Sequence, residues 1–176
     1  MKIKNLITTI ALMMITIFSF AQNEDDKRVI DDAEEAIKTM KNADKGLNTF
    51  FENSSGYVVF PNVGEGAFIL GAATGNGVVY DDGATIGMAN LKKLDVGLQA
   101  GGQAFMQIIF FETEDEFEEF KDEEFEFSAE IQAIILDKGA TKSANYSDGV
   151  VVFVKSKGGV MADLSVGGQK FSYSEF

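Results

Sequence analysis

The sequence predicts an α+β domain in which helices come first and a mostly antiparallel sheet follows. Apolar residues recur every three or four positions over residues 23–53, whereas from residue 55 onward they form short runs bounded by glycine. The 176 residues are 45% hydrophobic, which is enough for a real core. We expect a strongly bent sheet or partly closed barrel or sandwich, with N-terminal helices and one acidic helix inserted after the long central strand.

Residues 1–21 have the pattern of a secretory signal peptide. A short basic start precedes an apolar run over residues 6–18, and residues 19–21 place small side chains three positions and one position before a cut at Gln22. An uncleaved membrane anchor is the alternative, but the run is short for a span of about 20 residues. We therefore predict a single mature domain over residues 22–176, exported to the periplasm, the outer-membrane surface or the cell exterior.

Residues 23–53 are predicted to be helical, with a break at Gly46 that leaves a second short helix. The apolar face carries Val29, Ala33, Ala36, Ile37 and Met40. An amphipathic helix can lie on a membrane surface or pack against its own sheet. Because the polar face is mainly acidic, and membrane-surface helices usually carry Lys and Arg there, we expect packing against the sheet.

Glycine, asparagine and aspartate mark the expected turns of the first half of the sheet. A first strand should end at Pro61, and Asn76-Gly77 is typical of a tight hairpin. Asp82-Gly83 indicates another turn, and Lys92-Lys93 are expected in a loop. A long run over residues 96–111 then follows, with a bulge at its two adjacent glycines.

The second half begins with a helix signal and returns to strands. Thr113 and Glu116 form a capping-box pattern that predicts an acidic helix ending near Glu123. Alternation over residues 125–133 predicts a half-buried strand. A hairpin over residues 150–166 and a last strand over residues 170–173 complete the expected sheet.

Composition excludes several classes of function. The chain has no Cys and no His, so it offers no disulfide, thiol nucleophile, Ser-His-Asp triad or His metal site. Its formal net charge of −13 disfavours nucleic acid. The glycine-rich stretch over residues 71–77 has neither the Lys nor the following helix of a nucleotide loop. We predict no cofactor, no metal and no catalytic residue, although loose Ca²⁺ binding by the acidic face stays open as a hypothesis.

The lysines form a second pattern beside the acidic majority. Residues 131–176 carry five Lys against four acids, and Lys92 and Lys93 stand in a separate segment. If the sheet brings these two together with Lys155 and Lys157, the four could contact an anionic headgroup. On the residues alone, ordinary solubilising lysines are the favoured explanation.

The order of the motifs resembles the lipid-binding SYLF domain family. Gly56–Val63 followed by Gly66–Phe68 is similar to the family's opening, and Gly75–Val79 to its next glycine-rich segment. Val96–Gln103 resembles its Gly-Leu-Gln segment, and Val152–Gly168 matches its second half in order. The resemblance covers nearly all of residues 24–173. The stretch over residues 84–90 departs from it, since it has neither the Trp nor the Pro of the family pattern.

The resemblance implies a non-enzymatic module that binds phospholipid or phosphoinositide, with actin association in eukaryotic members. For an exported protein we expect the lipid role. Headgroups would contact Lys92, Lys93, Lys155 and Lys157, while acyl chains would meet apolar side chains near Phe60 and Phe68. A periplasmic or surface protein that binds an unknown protein or a glycan is the alternative, and a carboxylate-based hydrolase is the third reading.

Overall fold

The computed structural model describes residues 24–66, 72–94, 103–122, 125–158 and 166–176. It confirms the predicted fold class: the chain is α+β, with helices and a strongly curled, half-barrel sheet of eight strands. The helices are α1 (24–43), α2 (Leu47–Asn53) and α3 (Glu114–Lys121), with a 3₁₀ turn at Ala140–Ser143. The strands are β1 (Gly56–Gly66), β2 (Ala72–Asp81), β3 (Ala84–Leu94), β4 (Gln103–Phe111), β5 (Phe125–Glu126), β6 (Ala133–Ile135), β7 (Val150–Ser156) and β8 (Lys170–Glu175).

The sheet runs in the order β5-β8-β3-β2-β1-β4-β7-β6. All its pairs are antiparallel except β6 with β7. Since most neighbours run in opposite directions, β1, β3 and β7 end at the edge where β2, β4 and β8 begin. This shared edge places residues from distant parts of the chain side by side.

Two apolar cores lie on opposite faces of the sheet, because successive side chains of a strand point to opposite sides. The inner face of the curl packs against α3, where Phe117 and Phe120 are fully buried. The outer face packs against α1 and α2 through Ala33, Met40 and Leu47. The first helix therefore packs on its own sheet, as predicted.

β1 and β2 differ from the sequence prediction around Pro61 and Asn76-Gly77. β1 continues through Pro61, where its register with both neighbours shifts, as expected where a proline interrupts a central strand. β2 passes straight through Gly77, so the predicted hairpin turn there is wrong. Gly77 has another role: a Cβ at this position would lie 2.6 Å from the Phe60 ring. The glycine makes room for a core phenylalanine.

The turn at Asp82-Gly83 is confirmed, and both residues have positive φ, 45° and 78°. β3 then extends to Leu94, so Lys92 and Lys93 lie in a strand and the loop prediction is wrong. Their alternation across the strand, rather than loop freedom, decides where each ammonium points.

The second half keeps its predicted order with shorter strands. α3 begins after Thr113, whose hydroxyl donates to the Glu116 carboxylate. The expected strand over residues 125–133 is wrong in extent, because β5 has two residues and a turn precedes β6. β7 lies between β4 and β6, and β8 runs from Lys170 as predicted. Residues 159–165 of the expected hairpin lie outside the described residues.

Asp44 ties the helical layer to the sheet. Its carboxylate accepts hydrogen bonds from the backbone N–H groups of Gly46, Gly139 and Thr141, each at 3.0 Å, and from the Thr141 hydroxyl at 2.8 Å. The backbone bonds from Thr141 and Gly46 are the main reason that the pKa of Asp44 lies at about 2.

In the described part of the chain, no helix has both the length and the apolar character that a membrane crossing needs.

Candidate functional site

Lysines gather at one end of the strands, where β1, β3 and β7 end and β2, β4 and β8 begin. We call it the lysine end, and its strands and their flanks carry Lys92, Lys93, Lys155, Lys157 and Lys170. The acids on its strands are Glu65 and Glu126. No single stretch of sequence shows this cluster, because antiparallel pairing assembles it from β3, β7 and β8.

Lys92 and Lys93 point to opposite faces of β3. Lys92 is exposed on the outer face, whereas Lys93 is 8% exposed on the inner side. The strand thus separates two residues that the sequence prediction treated as one basic group. Lys92 instead has Lys170 of β8 as its direct cross-strand partner.

Lys155 and Lys157 lie at the other side of the lysine end, on and just after β7. The Lys157 ammonium donates to the Asn62 side-chain oxygen and, at 3.4 Å, to the Pro61 carbonyl. Four strand spacings separate β7 from β3, about 19 Å along the sheet. The four predicted lysines therefore share an edge without forming one compact cluster.

A cleft of about 260 Å³ opens on the outer face at the lysine end. Seven residues line it: Asn90, Lys92, Phe125, Glu126, Lys170, Phe171 and Ser172. α1 and α2 pack mainly over β1, β2, β4 and β7, which leaves this part of β3 and β8 uncovered. Lys170 was not among the predicted site residues, and the signal for it would have been its register opposite Lys92 across two well-formed strands.

The two predicted apolar contacts have different outcomes. Phe60 is completely buried in the inner core, with its ring 5.8 Å from that of Phe171. It leaves no surface for an acyl chain in this conformation. Phe68 lies outside the described residues.

A polar pair inside the apolar core escaped the sequence prediction. Gln107 and Gln169 are 0% and 1% exposed, and their amides exchange two hydrogen bonds of 2.8 and 3.2 Å. Each amide thus satisfies the other where no water is needed. Gln169 follows a Gly-Gly turn, which is the one local sign of its special position.

The opposite edge of the sheet is acidic, and we call it the acidic end. It carries Asp81, Asp82, Glu112, Asp148 and Glu175. In the described ranges, Asp44 is the one buried acid, and its oxygens are occupied by hydrogen bonds. The buried carboxylate pair that a hydrolase needs is thus not found in this part of the chain.

The molecule thus combines a curled sheet, a core on each face of that sheet and an open lysine-lined end. Residues 92–175 match the family model described as "Ysc84: Las17-binding protein actin regulator". This match, which covers just under half of the chain, confirms the resemblance to the SYLF family. Domains of this family are generally binding modules rather than enzymes.

A curated bacterial protein is also similar. "Beta cell expansion factor A" from Aeromonas veronii is 25% identical over 141 residues. The alignment covers 79% of this chain and 53% of the other protein, so the chain spans about half the length of this curated relative.

Proposed function

We propose that this protein is an exported, non-catalytic SYLF module that attaches to phospholipid surfaces through its lysine end. The observation that carries the proposal is that Lys92, Lys155, Lys157 and Lys170 all lie at the lysine end in a chain of net charge −13. An acidic protein is repelled by an anionic surface unless its cations face that surface together.

The distribution of charge supports one orientation. The acids of the acidic end lie at the opposite ends of the strands, roughly 30 Å away at the scale of a ten-residue strand. At physiological ionic strength charges separated by more than about 8 Å are largely screened from each other. The lysine end can therefore approach headgroups while the acidic end faces away.

Flotation of the purified full chain with phospholipid vesicles tests the proposal. We expect the protein to float with phospholipid at low salt, and to float less as salt rises, because the contact is between exposed charges. Replacing both Lys92 and Lys157 by Ala should reduce flotation, whereas Lys38→Ala, on the exposed face of α1, should not. Absence of flotation with anionic and zwitterionic vesicles alike would refute the proposal.

Export is a separate part of the proposal and has a direct test. N-terminal sequencing of the protein recovered after expression should begin at Gln22, as the small residues before it predict. Recovery of the uncleaved chain in the membrane fraction would instead favour the anchor.

A further inference from the structure

The cleft on the outer face carries an ordered row of charges across three neighbouring strands. Lys92 on β3 pairs in register with Lys170 on β8, which in turn pairs with Glu126 on β5. All three project on the same face, because they stand directly opposite one another. From β3 outward to the outermost strand β5, the three charges are therefore positive, positive and negative.

The row is incompletely paired. Lys170 and Glu126 form an ion pair of 3.3 Å, with side chains 70% and 51% exposed. Lys92 has no hydrogen bond or ion pair with any residue that the structure describes. Two like charges directly opposite each other on a sheet destabilise it. An anion bound between Lys92 and Lys170 would reduce this repulsion.

The second row of the cleft supplies neutral hydrogen-bonding groups. Asn90 and Ser172 are cross-strand partners two residues along their strands from the lysines, and both are exposed on the same face. Their side chains make no hydrogen bond within the described ranges. They are thus available to the oxygens of an anion held between the lysines.

We propose that this cleft binds a zwitterionic group in which a phosphate and a primary ammonium are joined by a short spacer. The phosphate lies between Lys92 and Lys170, within reach of Asn90 and Ser172, and the ammonium contacts Glu126. This inference deepens the proposed function, on which it rests for the lipid that carries the group.

The charges favour such a group over a more strongly anionic one. Two ammoniums and one carboxylate leave the cleft one net positive charge, and Glu126 stands against any second negative charge brought to the edge. A phosphodiester with an attached ammonium places its negative charge between the two lysines and its positive charge beside Glu126.

Matched soluble headgroups test the chemistry apart from any membrane. Calorimetric titration of the full chain with glycerophosphoethanolamine should show binding, and glycerophosphoglycerol, with a hydroxyl in place of the ammonium, should bind about three- to tenfold more weakly. Backbone amide NMR signals of residues 90, 92, 170 and 172 should shift on addition. Equal affinity for the two headgroups, or shifts confined to other residues, would overturn the assignment.

Glu126→Gln gives a prediction with opposite signs for two probes. It removes the partner of the ammonium and also frees Lys170, so glycerophosphoethanolamine should bind severalfold more weakly and inorganic phosphate severalfold more tightly. Lys92→Ala should weaken both probes, and Lys142→Ala, on the exposed 3₁₀ turn, should change neither. Because all three residues are exposed, an unchanged NMR spectrum outside the cleft verifies folding. Parallel effects of Glu126→Gln on the two probes would contradict the proposal.

Vesicles separate the lipid from the free group. Phosphatidylcholine vesicles that contain phosphatidylethanolamine should float the wild-type chain better than those containing phosphatidylglycerol, and Glu126→Gln should reverse that order. If vesicles bind without this preference, the cleft assignment fails and the proposed function stands. If soluble headgroup binds but no vesicle does, the proposed function fails and the cleft is a site for the free zwitterion.

Discussion

At the scale of single residues, Asp44 shows how one acid in an acid-rich chain acquires a structural role. Four hydrogen bonds converge on its carboxylate, and three come from residues about 95 positions later in the sequence. Its surrounding sequence resembles that of the solvated acids on α1. Local pattern could not single it out, because its partners come from the 3₁₀ turn.

Asp44→Asn should lower the free energy of unfolding at neutral pH by about 2–4 kcal/mol, because an amide presents a donor to groups that are themselves donors. Glu35→Gln, which changes an exposed acid on α1, should have little effect. The folded-state pKa of Asp44, about 2, lies below the 3.8 that is usual for an aspartate carboxyl, so its stabilising effect is present above pH 4 and is lost as pH falls toward 2. Urea unfolding across this range should show the loss in wild type and not in Asp44→Asn.

The Gln107–Gln169 pair is a second feature at this scale. The contribution of each amide to the free energy of unfolding depends on the presence of the other. Gln107→Leu alone should cost about 2 kcal/mol, because it leaves the Gln169 amide buried without a partner. Replacing both by Leu should cost less than the sum of the two single changes. A double-mutant cycle by urea denaturation measures this coupling, and strict additivity would show that the two amides are independent.

At the scale of elements, the contact of β1 with β2 explains why Asn76-Gly77 misled the sequence prediction. Asparagine followed by glycine is a hairpin signal when positive φ is needed, but here Gly77 is required for space. The Phe60 ring and the Val59 carbonyl oxygen lie 2.6 and 2.8 Å from where its Cβ would be. A steric need and a conformational need select the same amino acid.

Gly77→Ala should therefore lower stability by about 2 kcal/mol, the scale of core overpacking. Gly64→Ala in the neighbouring strand is the matched control, since a Cβ there meets nothing within 4 Å. Thermal unfolding of both variants measures the difference. Adding Phe60→Leu should recover part of the loss in Gly77→Ala, and failure of that rescue would place the strain elsewhere.

The predictable part of the fold is that set by local pattern. The periodicity of Ala33, Ala36 and Met40 identified α1 and its buried face, and Asp82-Gly83 identified a true turn. The candidate site was harder, because register rather than pattern decides it. Lys93 turns inward and Lys170 joins Lys92 solely because of how β3 pairs with β2 and β8.

At the scale of the whole molecule, charge is separated along the strands. The lysine end and the acidic end are opposite edges of one sheet, so the net charge of the chain describes neither of them. Cleavage before Gln22 would remove two lysines and no acid, which makes the charge −15 without touching either edge. The orientation of the molecule on a surface follows from this separation.

The absence of cysteine allows that orientation to be measured with single labels. A polarity-sensitive fluorophore on Ala104→Cys, exposed at the lysine end, should shift to the blue when phospholipid vesicles are added. The same label on Thr85→Cys, exposed near the acidic end, should not. Equal shifts at both positions would mean that the molecule has no preferred orientation on the bilayer.

The bonds from Asp44 to residues 139–141 also set a time order for folding. Asp44 and its partners at residues 139–141 are separated by about 95 residues in the sequence. Closing so long a loop is slow compared with the local formation of α1. The attachment should therefore form after the rate-limiting barrier. Asp44→Asn would then accelerate unfolding while leaving the refolding rate nearly unchanged in stopped-flow measurements, and a slowed refolding rate would show that the helical layer docks first.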